Sequence, residues 1–361
     1  MAAKIFNVAI VGFGLSAKVF HIPFVQSLPN DFNLYGVVQR SPTPDNDASK
    51  VYPGIKSWRS IDEVYVDPEV DVVIVTTPPD GHYEFARKSL ESGKHVIVEK
   101  PFVPTSKEAG DLAEMSKRTG KKLAVYQNRR WDADFLTLRK IVDEGHLGDV
   151  SEFQTHFDRH RPDPPPQSWK NENKPAHGTL YDLGTHLIDQ VYVLFGMPER
   201  ITGFLGNQRR GVTGGAPDSV TVLLHYNGPI LVAVKAGVVS PEVEQLRYWI
   251  RGTKGSFKKF HLDRQEDQLR KENIGPNSKE FGVDPESHYG TLITMETEKS
   301  TPVVQKYPTV PPSTYLEYYR IFAKAIRGEG DVPVKAEEAR DVLRIIELVE
   351  QSSREGTTIT L

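Results

Sequence analysis

The sequence predicts an α/β chain in two parts: a doubly wound parallel sheet over residues 1–126, then an α+β domain over 127–361 with a large, open, mainly antiparallel sheet. Three observations carry that expectation. The first third alternates short β-branched runs with amphipathic segments, which is the grammar of βαβ units. A glycine-rich turn, Gly12-Phe13-Gly14, directly follows the first of those runs. Beyond residue 150 the apolar runs crowd together with turn signals between them, the pattern of antiparallel strands. At 361 residues the chain also exceeds the ~150 of an average domain, so two domains are expected.

Residues 5–11, 34–39, 70–76, 95–98 and 122–126 read as parallel strands, because continuous β-branched runs suit strands covered on both faces. Between the last two, Thr105-Ser106-Lys107-Glu108 forms a capping box. Ala109, Leu112, Ala113 and Met115 supply an apolar face, and Gly120 stops the helix. In the second part, strands are expected at 150–157, 200–205, 219–226, 229–236, 245–251 and 255–261. Asn227-Gly228 between two of them predicts a hairpin with a type I′ turn. Within 219–226, Val220, Val222, Leu224 and Tyr226 point one way and Ser219, Thr221, Leu223 and His225 the other. One face therefore packs on helices, and the mixed face is available to a second copy of the chain or to solvent. Helices are expected at 314–327, opened by Thr314 and Glu317 and stopped by Gly328, and at 336–354, where Ala339, Val342, Leu343, Ile346 and Val349 keep helical spacing. Pro162, Pro164, Pro165, Pro166 and Pro175 mark an ordered loop near the site, and 263–288 reads as polar and partly mobile.

Composition removes several classes of function. With 45 basic and 48 acidic residues the net charge is −3, which gives no electrostatic footprint for a nucleic-acid partner. No apolar run approaches the ~18 residues of a membrane span. The absence of cysteine excludes disulfides, thiolate nucleophiles and cysteine-ligated metals, and fits a reducing, cytoplasmic setting. Lys4 precedes an apolar run from Ile5 to Leu15, but Asn7 and two glycines interrupt it, so it reads as a strand and not as a leader. His156, His160, His177 and His186 lack zinc-type spacing, and no metal site is expected.

The chemistry begins at Gly12-Phe13-Gly14-Leu15-Ser16-Ala17, a G-x-G-x-x-A turn between a strand and a helical segment. The first glycine makes the tight turn, the second lets backbone approach a pyrophosphate, and the small third residue permits close helix–strand packing. This is a Rossmann-type dinucleotide-binding expectation. The second strand ends in Val38-Gln39-Arg40-Ser41, without the carboxylate that would bind the ribose 2′-hydroxyl of NAD. A guanidinium beside a hydroxyl matches a 2′-phosphate, so NADP(H) is expected over NAD(H), the alternative being that Arg40 is a solvated charge. Thr76-Thr77-Pro78-Pro79 and Glu99-Lys100-Pro101 follow the next two strands at their carboxyl ends, where ligands bind in open α/β sheets. In the second part, Asp182 and His186 are four residues apart on a helix that runs to Phe195. The carboxylate can then orient the imidazole, though such a pair is also a common structural hydrogen bond.

These motifs together resemble the Gfo/Idh/MocA family of oxidoreductases, over nearly the whole chain. The T-P-P-D-G-H turn ending at His82, Glu99-Lys100-Pro101 and the D-x-x-x-H helix carry the likeness. Asn128-Arg129-Arg130-Trp131-Asp132 and His156-Phe157-Asp158-Arg159 make it most similar to the branch containing NADP-dependent scyllo-inositol dehydrogenases. The resemblance implies a dehydrogenase acting on a cyclic polyol or sugar, with Lys100, Asp182 and His186 as catalytic residues. It implies that Gly12, Phe13, Gly14, Leu15, Arg40, Ser41, Thr76, Thr77, Pro78, His82, Glu99, Lys100 and Trp169 hold the coenzyme. Asn128, Arg129, Trp131 and Tyr181 would line the substrate pocket, and the antiparallel sheet would build a homodimer. Two departures affect pocket shape: Ala176-His177-Gly178 replaces a glycine-rich lead-in, and Trp169-Lys170 replaces a Trp-Arg pair. A non-catalytic NADP(H) sensor with the same fold is the competing reading, and retention of Lys100, Asp182 and His186 argues against it.

Overall fold

The structure is a computed structural model and describes residues 4–163, 172, 174–210, 215–297 and 299–361. Six strands, β1 (Phe6–Val11), β2 (Phe32–Val38), β3 (Lys56–Trp58), β4 (Val72–Val75), β5 (His95–Val98) and β6 (Leu123–Val125), form an all-parallel sheet. Their order is β3-β2-β1-β4-β5-β6. Val8, Ile10, Val72, Val73, Val75, Val96 and Val98 are fully buried, as continuous β-branched strands between helical layers should be. The helix Ser106–Thr119 opens with both halves of the Thr105–Glu108 capping box and ends at Gly120, whose φ of +67° suits a residue without Cβ. Strand β3 escapes sequence reading because Lys56-Ser57-Trp58 is too short to show a period.

Among the described residues the second sheet holds nine strands: β7 (Val150–Asp158), β8 (Arg200–Gly206), β9 (Ser219–His225), β10 (Leu231–Gly237), β11 (Leu246–Gly252), β12 (Gly255–Phe260), β13 (Gly290–Thr294), β14 (Val303–Tyr307) and β15 (Ile359–Thr360). Their order is β14-β13-β12-β11-β7-β10-β9-β8-β15, antiparallel throughout except for β7 beside β10. The parallel pair arises because the chain leaves β7, passes through the helix Thr185–Phe195 and returns through β8 and β9 before β10 docks. In β9 the expected alternation holds: Val220, Val222 and Leu224 are buried, and the residues between them are partly exposed.

Three local expectations are corrected. The β9–β10 hairpin forms, but its loop spans 226–230 and not two residues. Only Gly228 there takes a positive φ, +95°, and Pro229 brings no N–H to the ladder, so a type I′ turn does not form. The polar stretch expected to be partly mobile instead contains the helix Gln265–Asp267, a following π-helical turn and buried Asp263, Gln265, Gln268 and Asp284. Strands β13, β14 and β15 were not expected.

The chain divides into two compact units, neither continuous in sequence. One combines the residues up to Asn128 with Asp267–Phe281 and Thr314–Arg340, and the other comprises Arg129–Glu266, Gly282–Ser313 and Asp341–Leu361. The helix Thr314–Ile326 thus belongs with the parallel sheet, where Tyr319 stacks on Phe24 at 5.9 Å and 7°. In the second unit the helix segment around Val349 and Ser352 lies on β8 at Gly203, whose N–H donates to Ser352 Oγ at 2.9 Å. No helix among the described residues is long and apolar enough to cross a membrane.

Candidate active site

In the first unit the parallel ladder continues past the strand ends and sets one row of residues along the carboxyl edge. Gly12 N–H donates to Val38 O at 3.0 Å, Thr76 N–H to Val11 O at 3.0 Å, Glu99 N–H to Val75 O at 3.0 Å and Tyr126 N–H to Val98 O at 2.8 Å. The order of strands reverses between β1 and β4, so Gly12 and Thr76 flank the crevice where open α/β sheets take ligands.

The glycine turn fits a dinucleotide. Gly12 has φ +102°, and a Cβ there would stand 3.0 Å from Thr76 Oγ1, whereas a Cβ at Gly14 would meet none of the described residues within 4 Å. The turn is therefore tight at the first glycine and open at the second, as close approach of a phosphate requires. Phe13 is buried under Lys18, whose Nζ lies 4.5 Å from the ring centroid, and Leu15 is exposed. Among the described residues Thr77 Oγ1 is buried without a hydrogen-bond partner, which leaves a hydroxyl for a ligand at that turn. Pro78 beside it is exposed, as are Arg40 and Ser41 after β2. Arg59, at the corresponding end of β3, donates to Ser57 Oγ at 2.8 Å and is a second cation at this corner that sequence reading missed along with β3.

His82 and Glu99 are committed to holding this edge together. The buried His82 ring places Nε2 2.7 Å from Thr77 O and Nδ1 3.0 Å from Pro101 O, and burial pushes its pKa down. It therefore links the Thr77 turn to the Lys100-Pro101 turn. Burial would push the Glu99 carboxyl up, but the His21 hydrogen bond, the His21 and Lys100 charges and the Ser16 hydroxyl outweigh it and hold the group at about 2. Lys100 is half-buried, and its backbone N–H donates to Glu99 Oε2 at 2.9 Å. Trp169 lies outside the described residues.

In the second unit, Asp182 and His186 straddle the junction between a π-helical turn, Leu180–Gly184, and the helix Thr185–Phe195, which ends at Gly196. His186 is buried and Asp182 half-buried. The same helix grips the turn Asn128–Trp131: Asp189 accepts two bonds from the Arg130 guanidinium, at 2.7 and 2.8 Å, and Gln190 Nε2 donates to Arg129 O at 2.8 Å. Asn128, Arg129 and Trp131 are all buried. Tyr181 is buried too, but its hydroxyl donates to Glu350 at 3.0 Å, so that group is already used within the fold.

The two branch motifs of the sequence meet around one aromatic ring. The guanidinium carbons of Arg129 and Arg159 lie 4.8 and 4.7 Å from the Phe157 centroid, and Glu266 pairs with both arginines. Burial lowers the Arg159 pKa, Glu266 and Asp182 oppose that, and Arg129 and Arg161 reinforce it, so Asp182 stands within the field of this cluster. Beneath it Arg247, fully buried, donates to Asp134 at 2.8 Å and to Gln190 Oε1 at 3.0 Å. Burial and the neighbouring Asp132 and Asp134 carboxylates push Asp263 well above the usual range. Asp189 and Gln190 follow His186 by three and four residues, a spacing visible in sequence. Arg247, Glu266 and Asp263 come from distant segments and carry no sequence signal.

Residues 6–127 match the family model described as the NAD-binding Rossmann fold of an oxidoreductase family, and 139–361 match its C-terminal alpha/beta domain. The chain belongs to the Gfo/Idh/MocA family of oxidoreductases. An uncharacterized oxidoreductase of Schizosaccharomyces pombe is 39% identical over 98% of both chains. The Bacillus subtilis scyllo-inositol 2-dehydrogenase (NADP(+)) IolW is 38% identical over 98% of this chain and 96% of its own. The solved structure of the Bacillus subtilis oxidoreductase YvaA superposes with a TM-score of 0.92 at 37% identity, covering 99% of each chain. This Gfo/Idh/MocA chain is accordingly an oxidoreductase with an NAD(P)-binding Rossmann domain, in a family that includes sugar and polyol dehydrogenases.

Proposed function

We propose that the chain is an NADP(H)-dependent dehydrogenase that oxidises a secondary alcohol of a cyclic polyol or sugar, scyllo-inositol being the first substrate to test. The supporting observation is the row of Gly12, Thr76 and Glu99-Lys100 on one carboxyl edge of the parallel sheet. Gly12, Phe13, Gly14, Leu15, Thr76, Thr77 and Pro78 would hold the coenzyme, with Arg40 and Ser41 on its 2′-phosphate. His82 and Glu99 would shape that edge, and Trp169 would add a contact. When bound, the coenzyme supplies the hydride acceptor. His186 accepts the proton of the reacting hydroxyl, Asp182 holds the imidazole, and Lys100 donates a hydrogen bond to the reacting oxygen as its negative charge develops. Asn128, Arg129 and Trp131 would position the polyol, with the Tyr181 ring as part of the pocket wall.

A nicotinamide absorbance assay with scyllo-inositol, myo-inositol, glucose and xylose tests this reading, alongside fluorescence titration with NADPH and NADH. Substrate-dependent reduction of NADP and tighter binding of NADPH are expected. Tight NADPH binding without turnover across the panel overturns the enzyme in favour of a sensor, and tighter NADH binding overturns the coenzyme assignment. We place the enzyme in the cytosol on its lack of cysteine. We also propose a homodimer through the outer face of the nine-stranded sheet, where register aligns Lys258, Trp249, Gln154, Ala233, Leu223 and Thr202 in one row.

A further inference from the structure

Within the first unit, side chains from three separated segments converge on the residue that precedes Lys100. The Glu99 carboxylate is buried at the end of β5. The Ser16 hydroxyl donates to Oε1, His21 Nε2 lies 3.0 Å from the same oxygen, and Oε2 accepts the Lys100 backbone N–H at 2.9 Å. On the far side of the imidazole, Nδ1 lies 2.6 Å from the Tyr319 hydroxyl. His21 and Tyr319 are both completely buried, and the Tyr126 ring lies 4.4 Å from the His21 ring.

The direction of this chain of hydrogen bonds follows from its end groups. An ionised carboxylate only accepts, so the His21 proton sits on Nε2. Nδ1, on the other side of the ring, is hydrogen-bonded to the Tyr319 hydroxyl. Strand β5 does not require this arrangement, because its ladder is complete through backbone bonds, including Glu99 N–H to Val75 O at 3.0 Å. Burying a histidine, a tyrosine hydroxyl and a carboxylate together costs desolvation that an apolar trio would avoid. What the polar trio adds is a fixed carboxylate, and Oε2 of that carboxylate holds the amide of Lys100.

We propose that Tyr319 and His21 are positioning residues: through Glu99 they fix the backbone at Lys100 and with it the direction of the Lys100 ammonium. The proposal rests on the reading of Lys100 as catalytic. Tyr319 reaches this place because the segment Thr314–Arg340 returns to the first unit.

The test compares full-length His21→Leu, His21→Gln, Tyr319→Phe and Lys100→Met with the native protein. In the glutamine variant Nε2 can donate to Glu99 while Oε1 accepts from Tyr319, so it restores the chain that leucine breaks. With [15N]lysine labelling, the amide resonance missing in Lys100→Met is that of Lys100. It should shift in His21→Leu and Tyr319→Phe and return towards the native position in His21→Gln. With scyllo-inositol and NADP, kcat should fall about 100-fold in His21→Leu, the scale of a roughly 1 Å misplacement of a reacting group, with KM changed far less. The glutamine variant should recover most of that loss. In the Lys100→Met background, His21→Leu should have no further effect, since it acts through the missing ammonium. Tyr319→Phe removes one oxygen and keeps the ring stack, so it reports on the chain even if His21→Leu does not fold. An unmoved Lys100 resonance in Tyr319→Phe, or loss of kcat in His21→Leu that adds fully to that of Lys100→Met, overturns the proposal while the role of Lys100 stands. Undiminished turnover in Lys100→Met overturns the catalytic reading and this proposal with it.

Discussion

His186 and Lys100 are the two residues on which the proposed chemistry depends, and they illustrate what a motif can and cannot convey. The strand-end position of Lys100 is legible because a lysine bounded by proline after a buried strand is seldom chosen for packing. The histidine is less legible: an Asp–His pair four apart is more often a structural hydrogen bond than a functional one, and only the other motifs beside it single it out. If His186 is the base, His186→Ala should lower kcat by about 10²–10⁴-fold, the usual worth of positioned acid–base help. NADPH affinity by fluorescence titration should stay within a few-fold. Unchanged turnover removes His186 from the mechanism. Glu99 and His82 differ from both, since their polar atoms are spent on His21, Ser16 and backbone carbonyls, a commitment that residue type alone does not reveal.

At the scale of elements, the long periodic segments were legible and the short ones were not. The capped helix Ser106–Thr119 and the alternating strand β9 match their patterns because each is decided by local spacing and caps. Strands β3 and β15 have three and two residues and exist only because a longer neighbour pairs with them. Gly203 was likewise unremarkable in sequence. A Cβ there would stand 2.5 Å from the Val349 carbonyl oxygen, which is backbone and cannot swing away. Gly203→Ala should therefore push the helix off β8 and cost about 1–3 kcal/mol of stability. A lowered thermal midpoint, with NADPH affinity retained because the glycine lies in the second unit, is the expected result. An unchanged midpoint contradicts this account of the packing.

For the whole molecule, the outer face of the nine-stranded sheet is the surface that matters most for assembly. Phe204 is 60% exposed there, and Leu223 and Trp249 are half-buried on the same face. Apolar residues set among polar ones on an open sheet face suit association with a second copy. Light scattering should give twice the 40.6 kDa chain mass, and Leu223→Glu with Phe204→Glu should give the monomer. A monomeric native protein overturns the homodimer.

The sequence by itself determined the class of each half, the glycine turn and its strand, and the family, because all of these are written in local spacing of apolar residues and in contiguous motifs. Tertiary structure alone decided that the helix Thr314–Ile326 belongs with the parallel sheet and that Tyr319 meets His21. It also decided that Arg247, Glu266 and Asp263 lie under or beside the two branch motifs. Those partnerships join residues far apart in the chain, where buried charge must find its complement wherever the packed core brings one within reach, and no local pattern records which one it will be.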